Sequence, residues 1–123
     1  MKEYDEDQVL TEYICVHYHQ LMSREEQLAE RAHEMRLKAS GYGASIVSER
    51  LRKIARLIAS DARIKPLTEM SREHFRMTVR DRLLREHADE ITLNRCPECN
   101  RIPRSPEARQ CPWCFYQWHD KPT

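Results

Sequence analysis

The segment NRCPECNRIPRSPEARQCPWCFYQWH, residues 94–119, decides how the chain is read. It holds two Cys-x-x-Cys pairs, Cys96/Cys99 and Cys111/Cys114, with eleven residues between them. One such pair is either a redox dithiol or half of a metal site. Two pairs supply four soft donors, the number a tetrahedral zinc ion needs. A Cys-x-x-Cys turn sets two sulfurs on one side of the ion, and a hairpin of about ten residues brings the second turn opposite. Pro103 and Pro106 in the connection suit a tight loop better than a helix. A redox dithiol of the thioredoxin kind needs one pair opening a helix after a strand, within a βαβ frame. Here CPWC follows a second CPxC and precedes the aromatic run FYQW, so the spacing points to structural zinc, one ion per chain.

RCPECNRIPRSPEARQCPWCFYQW resembles the short four-cysteine zinc ribbon, whose usual form is CPxCG, a brief loop and a small residue leading into CxxCG. Ala108 occupies the small position. The resemblance covers about one fifth of the chain and implies Cys96, Cys99, Cys111 and Cys114 as ligands in paired zinc knuckles with little regular sheet. Asn100 and Phe115 stand where the family usually has glycine. That position often needs positive φ, which Asn tolerates and Phe does not readily adopt, so the second knuckle is expected to be distorted. No family is recognised for residues 1–90 as a whole.

Outside the ribbon the composition favours helix. The 123 residues include only two glycines, 40% are apolar and 33% are charged. No apolar run is long enough for a membrane span. The acidic start MKEYDEDQ is unlike a secretory signal, so a cytoplasmic protein with reduced thiols is expected. The net charge of +1 is unevenly spread: residues 1–22 carry −4 and residues 44–87 carry +5. Opposite segments of this kind attract each other within one fold or between two copies, and the basic one also suits phosphate.

The expected fold is mainly α, a bundle of three to four helices over residues 1–90 followed by a zinc-ribbon module over 91–123. Asp5 or Asp7 caps the first helix. Leu10, Ile14, His17 and Leu21 share a face, which Leu28, Ala32 and Met35 continue. Ser23 and Glu26 form a capping-box pattern, so residues 5–39 make either one helix or two. Gly41-Tyr42-Gly43 breaks the helix and Ser45 starts the next. On that helix Ile46, Val47, Leu51, Ile54, Ala55, Ile58 and Ala62 form a broad apolar face, opposite Arg52, Lys53, Arg56 and Arg63. Pro66 ends that segment or sits just beyond its end, and Thr68 or Ser71 caps a last helix running to about Glu90. That helix has two apolar edges: Phe75, Val79 and Leu83, then Met77, Leu84, Ala88 and Ile91. Two edges mean two neighbours, either within the bundle or across a homodimer interface. MSRE occurs at 22–25 and 70–73, but the apolar positions that follow do not superpose, so it is no structural repeat.

Four of the nine aromatic residues, Trp113, Phe115, Tyr116 and Trp118, fall within six positions of the ribbon, near Arg95, Arg101, Arg104 and Arg109. Such rings either pack the ribbon onto the helices, or dock a protein, or stack bases while arginines hold phosphate. The nucleic-acid reading assigns Arg101, Arg104, Arg109 and Trp113 in the ribbon, with Arg52 and Arg56 on the basic helix. An enzyme reading rests on Arg80-x6-His87, which resembles the catalytic signature of the helical HEPN ribonucleases. The resemblance implies His87 as general acid/base and Arg80 on the scissile phosphate. Sixteen arginines make such spacings common by chance, so a non-enzymatic binding or regulatory module is the preferred expectation. Cys15 with His19, or His119 beside the ribbon, offers further donors, but four cysteines already complete a site.

Overall fold

The computed structural model describes residues 3–118. Five α-helices are present: α1 (Glu6–His17), α2 (Arg24–Gly41), α3 (Ile46–Ala59), α4 (Lys65–Glu69) and α5 (Arg72–Glu86). Single turns of tighter helix span His19–Leu21 and Ala88–Glu90. Among the described residues there is no strand, only one isolated antiparallel bridge between Gln110 and Gln117. The mainly helical expectation therefore holds.

Local chemistry sets the helix ends. The Asp5 carboxylate accepts from the Asp7 and Gln8 amides and opens α1. Ser23 and Glu26 close a reciprocal capping box, which separates α2 from α1 and makes residues 5–39 two helices. Gly43 takes φ +63°, a left-handed turn that glycine allows at no steric cost. The Ser45 hydroxyl then accepts from the Ser48 amide at the start of α3. Ser71, rather than Thr68, accepts from the His74 amide at the start of α5. Pro66 sits in the first turn of α4, where its missing N–H costs nothing. The last helix stops at Glu86, short of the expected Glu90, and a tighter turn follows.

The chain divides into two compact units, residues up to Gln20 with those from Arg80 onward, and Leu21–Val79. In the second unit α2, α3 and α4 pack on one another. Its core includes Ala29, Ala32, Ala39, Ala55, Ile64, Phe75 and Val79. Small residues on α2 let its neighbours approach closely. The His33 ring stacks on Phe75, and its Nε2 lies 3.0 Å from the Leu67 carbonyl oxygen. Arg76 donates to the Glu30 carboxylate at 2.8 Å in a largely buried pair. Burying both members makes the bond geometry, rather than bare attraction, the source of any net gain.

The first unit contains α1, the end of α5 and the cysteine segment. Thr11, Tyr13, Ile14 and Cys15 are buried on α1, while Leu10, His17 and Leu21 of the expected face are only partly covered. The Tyr13 hydroxyl donates to the Thr92 carbonyl at 2.7 Å and accepts from the Asn94 amide. Ile102 is fully buried, and its amide donates to the Tyr4 hydroxyl at 3.0 Å. Arg95 donates to Glu6 at 2.9 Å, and this bond, chiefly, holds the Glu6 carboxyl below its ordinary pKa. The ribbon segment is thereby hydrogen-bonded to α1 through Tyr13 and Glu6, and to Tyr4 just before the helix.

Candidate metal centre

Each Cys-x-x-Cys turn is built the same way. The Asn100 amide donates to the Cys96 carbonyl and the Phe115 amide to the Cys111 carbonyl, both at 2.9 Å. Each turn is then closed by a return bond, Cys96 N–H to the Arg101 carbonyl and Cys111 N–H to the Tyr116 carbonyl, again both 2.9 Å. Backbone amides also point at sulfur: Cys99 N–H toward Cys96 Sγ, and the Trp113 and Cys114 amides toward Cys111 Sγ. Donors aimed at sulfur stabilise the thiolate form that binds metal.

Asn100 and Phe115 both adopt left-handed backbone, with φ 63° and 66°. The second knuckle is thus not distorted. It keeps the regular turn and places a phenylalanine where the geometry asks for glycine. A bulky residue there carries local strain on the order of 1–2 kcal/mol. The Phe115 side chain gains little burial in return, being 65% exposed.

The four sulfurs converge. Cys96 Sγ lies 3.6 Å from Cys114 Sγ and Cys99 Sγ lies 3.6 Å from Cys111 Sγ. All four donor atoms fall within 4.8 Å of one another. A tetrahedron with metal–sulfur bonds of about 2.3 Å has edges of about 3.8 Å, which these separations approach. A disulfide needs about 2.05 Å, and none of the five cysteines is in one. Burial opposes ionisation of Cys96, but the Cys99 and Glu98 amides and the neighbouring thiols outweigh it and bring its pKa down to about 7. For Cys114 the Tyr116 amide favours the thiolate, yet desolvation and three adjacent sulfurs push its pKa up to about 12. Four thiolates this close repel, and a dication at their centre relieves that repulsion. The donor set, its geometry and its amide shell fit a tetrahedral metal ion.

Among the described residues this is the one cluster of three or more metal-donor side chains. Cys15 is buried in α1 and His19 is exposed on the following turn. His119 lies outside the described residues. Cys96, Cys111 and Trp118 form a small core of their own, with Cys99, Trp113 and Tyr116 packed around it.

The other expected site residues are placed less uniformly. Trp113 is half-buried: its indole N–H donates to the Ile102 carbonyl at 3.2 Å, and its ring meets Tyr4 edge-on at 5.1 Å. Arg101 is exposed with its guanidinium 5.4 Å from the Tyr4 ring centre, Arg104 is exposed, and Arg109 is partly covered. Arg52 and Arg56 are exposed on α3, in the other unit. Of the four clustered ribbon aromatics, Phe115 is the exposed one; Trp113 and Tyr116 are partly covered and Trp118 is buried.

Arg80 is buried, and its guanidinium donates to Asp7, the Thr11 hydroxyl and Asp81. His87 lies beyond the end of α5 with Nδ1 against the Glu90 carboxylate. A substrate phosphate would have to displace two carboxylates from Arg80. Among the described residues no helix is long and apolar enough to cross a membrane. Comparison with family models, with curated proteins and with solved structures finds no match.

Proposed function

We propose that this is a small cytoplasmic zinc-binding module, without catalytic activity of its own, whose ribbon contacts single-stranded nucleic acid. Cys96, Cys99, Cys111 and Cys114 would hold one zinc ion. Four protein ligands fill a tetrahedron and leave no open position, so the ion's chemistry there is structural: it fixes the two knuckles.

The observation that carries the reading is Phe115, an exposed ring on strained backbone at the tip of the second knuckle. Strain retained without a packing gain points to use of the side chain. An exposed ring offers a stacking face to any base, and Arg101 and Arg104 are exposed cations of the same ribbon segment. Arg52 and Arg56 would add phosphate contacts from α3. Trp113 is already held by Ile102 and Tyr4, which favours a packing role for that ring.

The test is fluorescence anisotropy of labelled single-stranded RNA and DNA with zinc-loaded protein at several salt concentrations. Affinity should fall steeply with salt, since each neutralised phosphate releases counterions. Arg101→Glu with Arg104→Glu should weaken binding to all sequences. His87→Ala should leave binding unchanged and the RNA uncut, as with the wild type. Absence of binding at low salt would refute the reading and leave the ribbon as a protein-docking element. Cleavage lost on His87→Ala would instead establish the ribonuclease alternative.

A further inference from the structure

The fold uses only part of the apolar surface of α3. Ser48 and Ala55 are its buried residues, with Leu51 and Ile58 partly covered beside them. Ile46 is 74% exposed, Val47 49%, Ile54 37% and Leu57 63%. A single exposed aliphatic side chain is ordinary, but four on one helix make a patch that asks for a partner.

The order of these residues says what kind of partner fits. Val47, Arg50, Ile54 and Leu57 follow one another at spacings of three, four and three, the repeat of a helix–helix seam. Ile46 and Lys53 flank the seam on one side, and Leu51 and Ile58 on the other. Arg50 therefore stands inside the aliphatic line and Lys53 beside it, both exposed. The helix has one carboxylate, Glu49, and it lies off the seam.

Charge decides between occupants. A second α3 would bring two arginines and two lysines into one seam with no carboxylate to meet them, a like-charge arrangement that opposes pairing. A lipid surface would have to take Arg50 in among the aliphatic side chains, whereas helices that lie on membranes keep their cations on the polar face. A polynucleotide gains nothing from four aliphatic chains, and Arg52 and Arg56 lie away from the seam, on the other side of α3. A helix that is aliphatic along its own seam and acidic opposite Arg50 and Lys53 satisfies both halves of the pattern. Apolar contact supplies affinity, and a charge pair within the seam fixes register.

We propose that α3 docks an amphipathic helix of a partner protein, one that carries carboxylates where it meets Arg50 and Lys53. The surface lies wholly on α3 and includes no cysteine ligand and no residue given to nucleic acid, so it stands or falls apart from the ribbon.

The probes are two synthetic peptides held helical by a covalent staple, with leucines at the same alternating spacing. One has glutamates where it would meet Arg50 and Lys53; the other has lysines there. Fluorescence anisotropy of each labelled peptide with the zinc-loaded full chain should show the acidic peptide binding and the basic one not. Leu57→Ser, at an exposed position, should weaken the acidic peptide about tenfold or more, the loss expected when a leucine no longer leaves water. Arg50→Glu with Lys53→Glu should reverse the preference, so that the basic peptide binds and the acidic one does not. Far-UV circular dichroism checks that every variant keeps its helices, and single-stranded RNA affinity should be the same for Leu57→Ser as for wild type. An acidic peptide that fails to bind overturns the proposal, as does equal binding of both peptides or a preference that survives the charge reversal. So does Leu57-dependent binding to vesicles of phosphatidylcholine with phosphatidylserine, which would make the face a lipid contact. Wild type sedimenting at twice the mass of the Leu57→Ser chain would overturn it too, because α3 would then pair with itself, and loss of RNA affinity in Leu57→Ser would place the face in the nucleic-acid site instead.

Discussion

Replacing Phe115 separates what its backbone costs from what its ring contributes. Phe115→Ala and Phe115→Gly both remove the ring, and they differ only in how well they suit φ 66°. Alanine keeps a Cβ in left-handed backbone, a cost of about 1–2 kcal/mol. Glycine avoids that cost but gives back roughly 0.5–1 kcal/mol through its freer unfolded chain. The glycine variant should therefore hold the knuckle more firmly than the alanine variant by about 1 kcal/mol. Metal affinity includes the folding free energy of the ribbon, so this difference becomes about fivefold in zinc affinity. Competition against a chromophoric chelator at fixed pH reads it directly. Both variants should lose single-stranded nucleic-acid affinity equally, by about 1–3 kcal/mol, because both lack the stacking ring. Equal zinc affinity in the two variants, or tighter binding by Phe115→Ala, would refute the strain argument. Undiminished nucleic-acid binding would refute the role given to the ring.

Cys111→Ser should lower zinc affinity and expose residues 94–118 to proteolysis while far-UV circular dichroism keeps most of its helical signal. Collapse of that signal would mean that the helices depend on the ribbon. Arg80→Ala should destabilise the protein by roughly 2 kcal/mol in urea denaturation. Breaking a fully buried pair costs about 3–5 kcal/mol, and here both carboxylates remain more than half exposed. A change below about 0.5 kcal/mol would show that the buried guanidinium is not structural.

The metal site was legible because its information is local. Spacing and residue type alone place two sulfurs per turn, and the short loop does the rest. Helix starts were legible for the same reason: Asp5, Ser23, Ser45 and Ser71 each satisfy amides within three residues. Proline was less so, since Pro66 suits a helix's first turn as well as its end, and only the five residues of α4 decide between them.

What the sequence hid depends on partners far along the chain. The apolar pattern of α3 shows a face without showing what covers it, and Ile46 and Leu57 remain open. Arg80 read as an exposed or catalytic group until Asp7 and Thr11, some seventy residues earlier, proved to surround it. For Trp113 the pattern left packing, docking and stacking open, and only the contacts with Tyr4 and the Ile102 carbonyl favour packing. Each is a long-range pairing that local pattern does not encode.

Cys96, Cys99, Cys111 and Cys114 are proposed to hold one zinc ion as a structural unit. Native mass spectrometry of protein expressed and purified without added metal tests it most directly. One zinc ion per chain, lost together with ribbon order on Cys111→Ser, is the predicted result. A bare chain whose residues 94–118 remain ordered, or a different metal in the site, would contradict it.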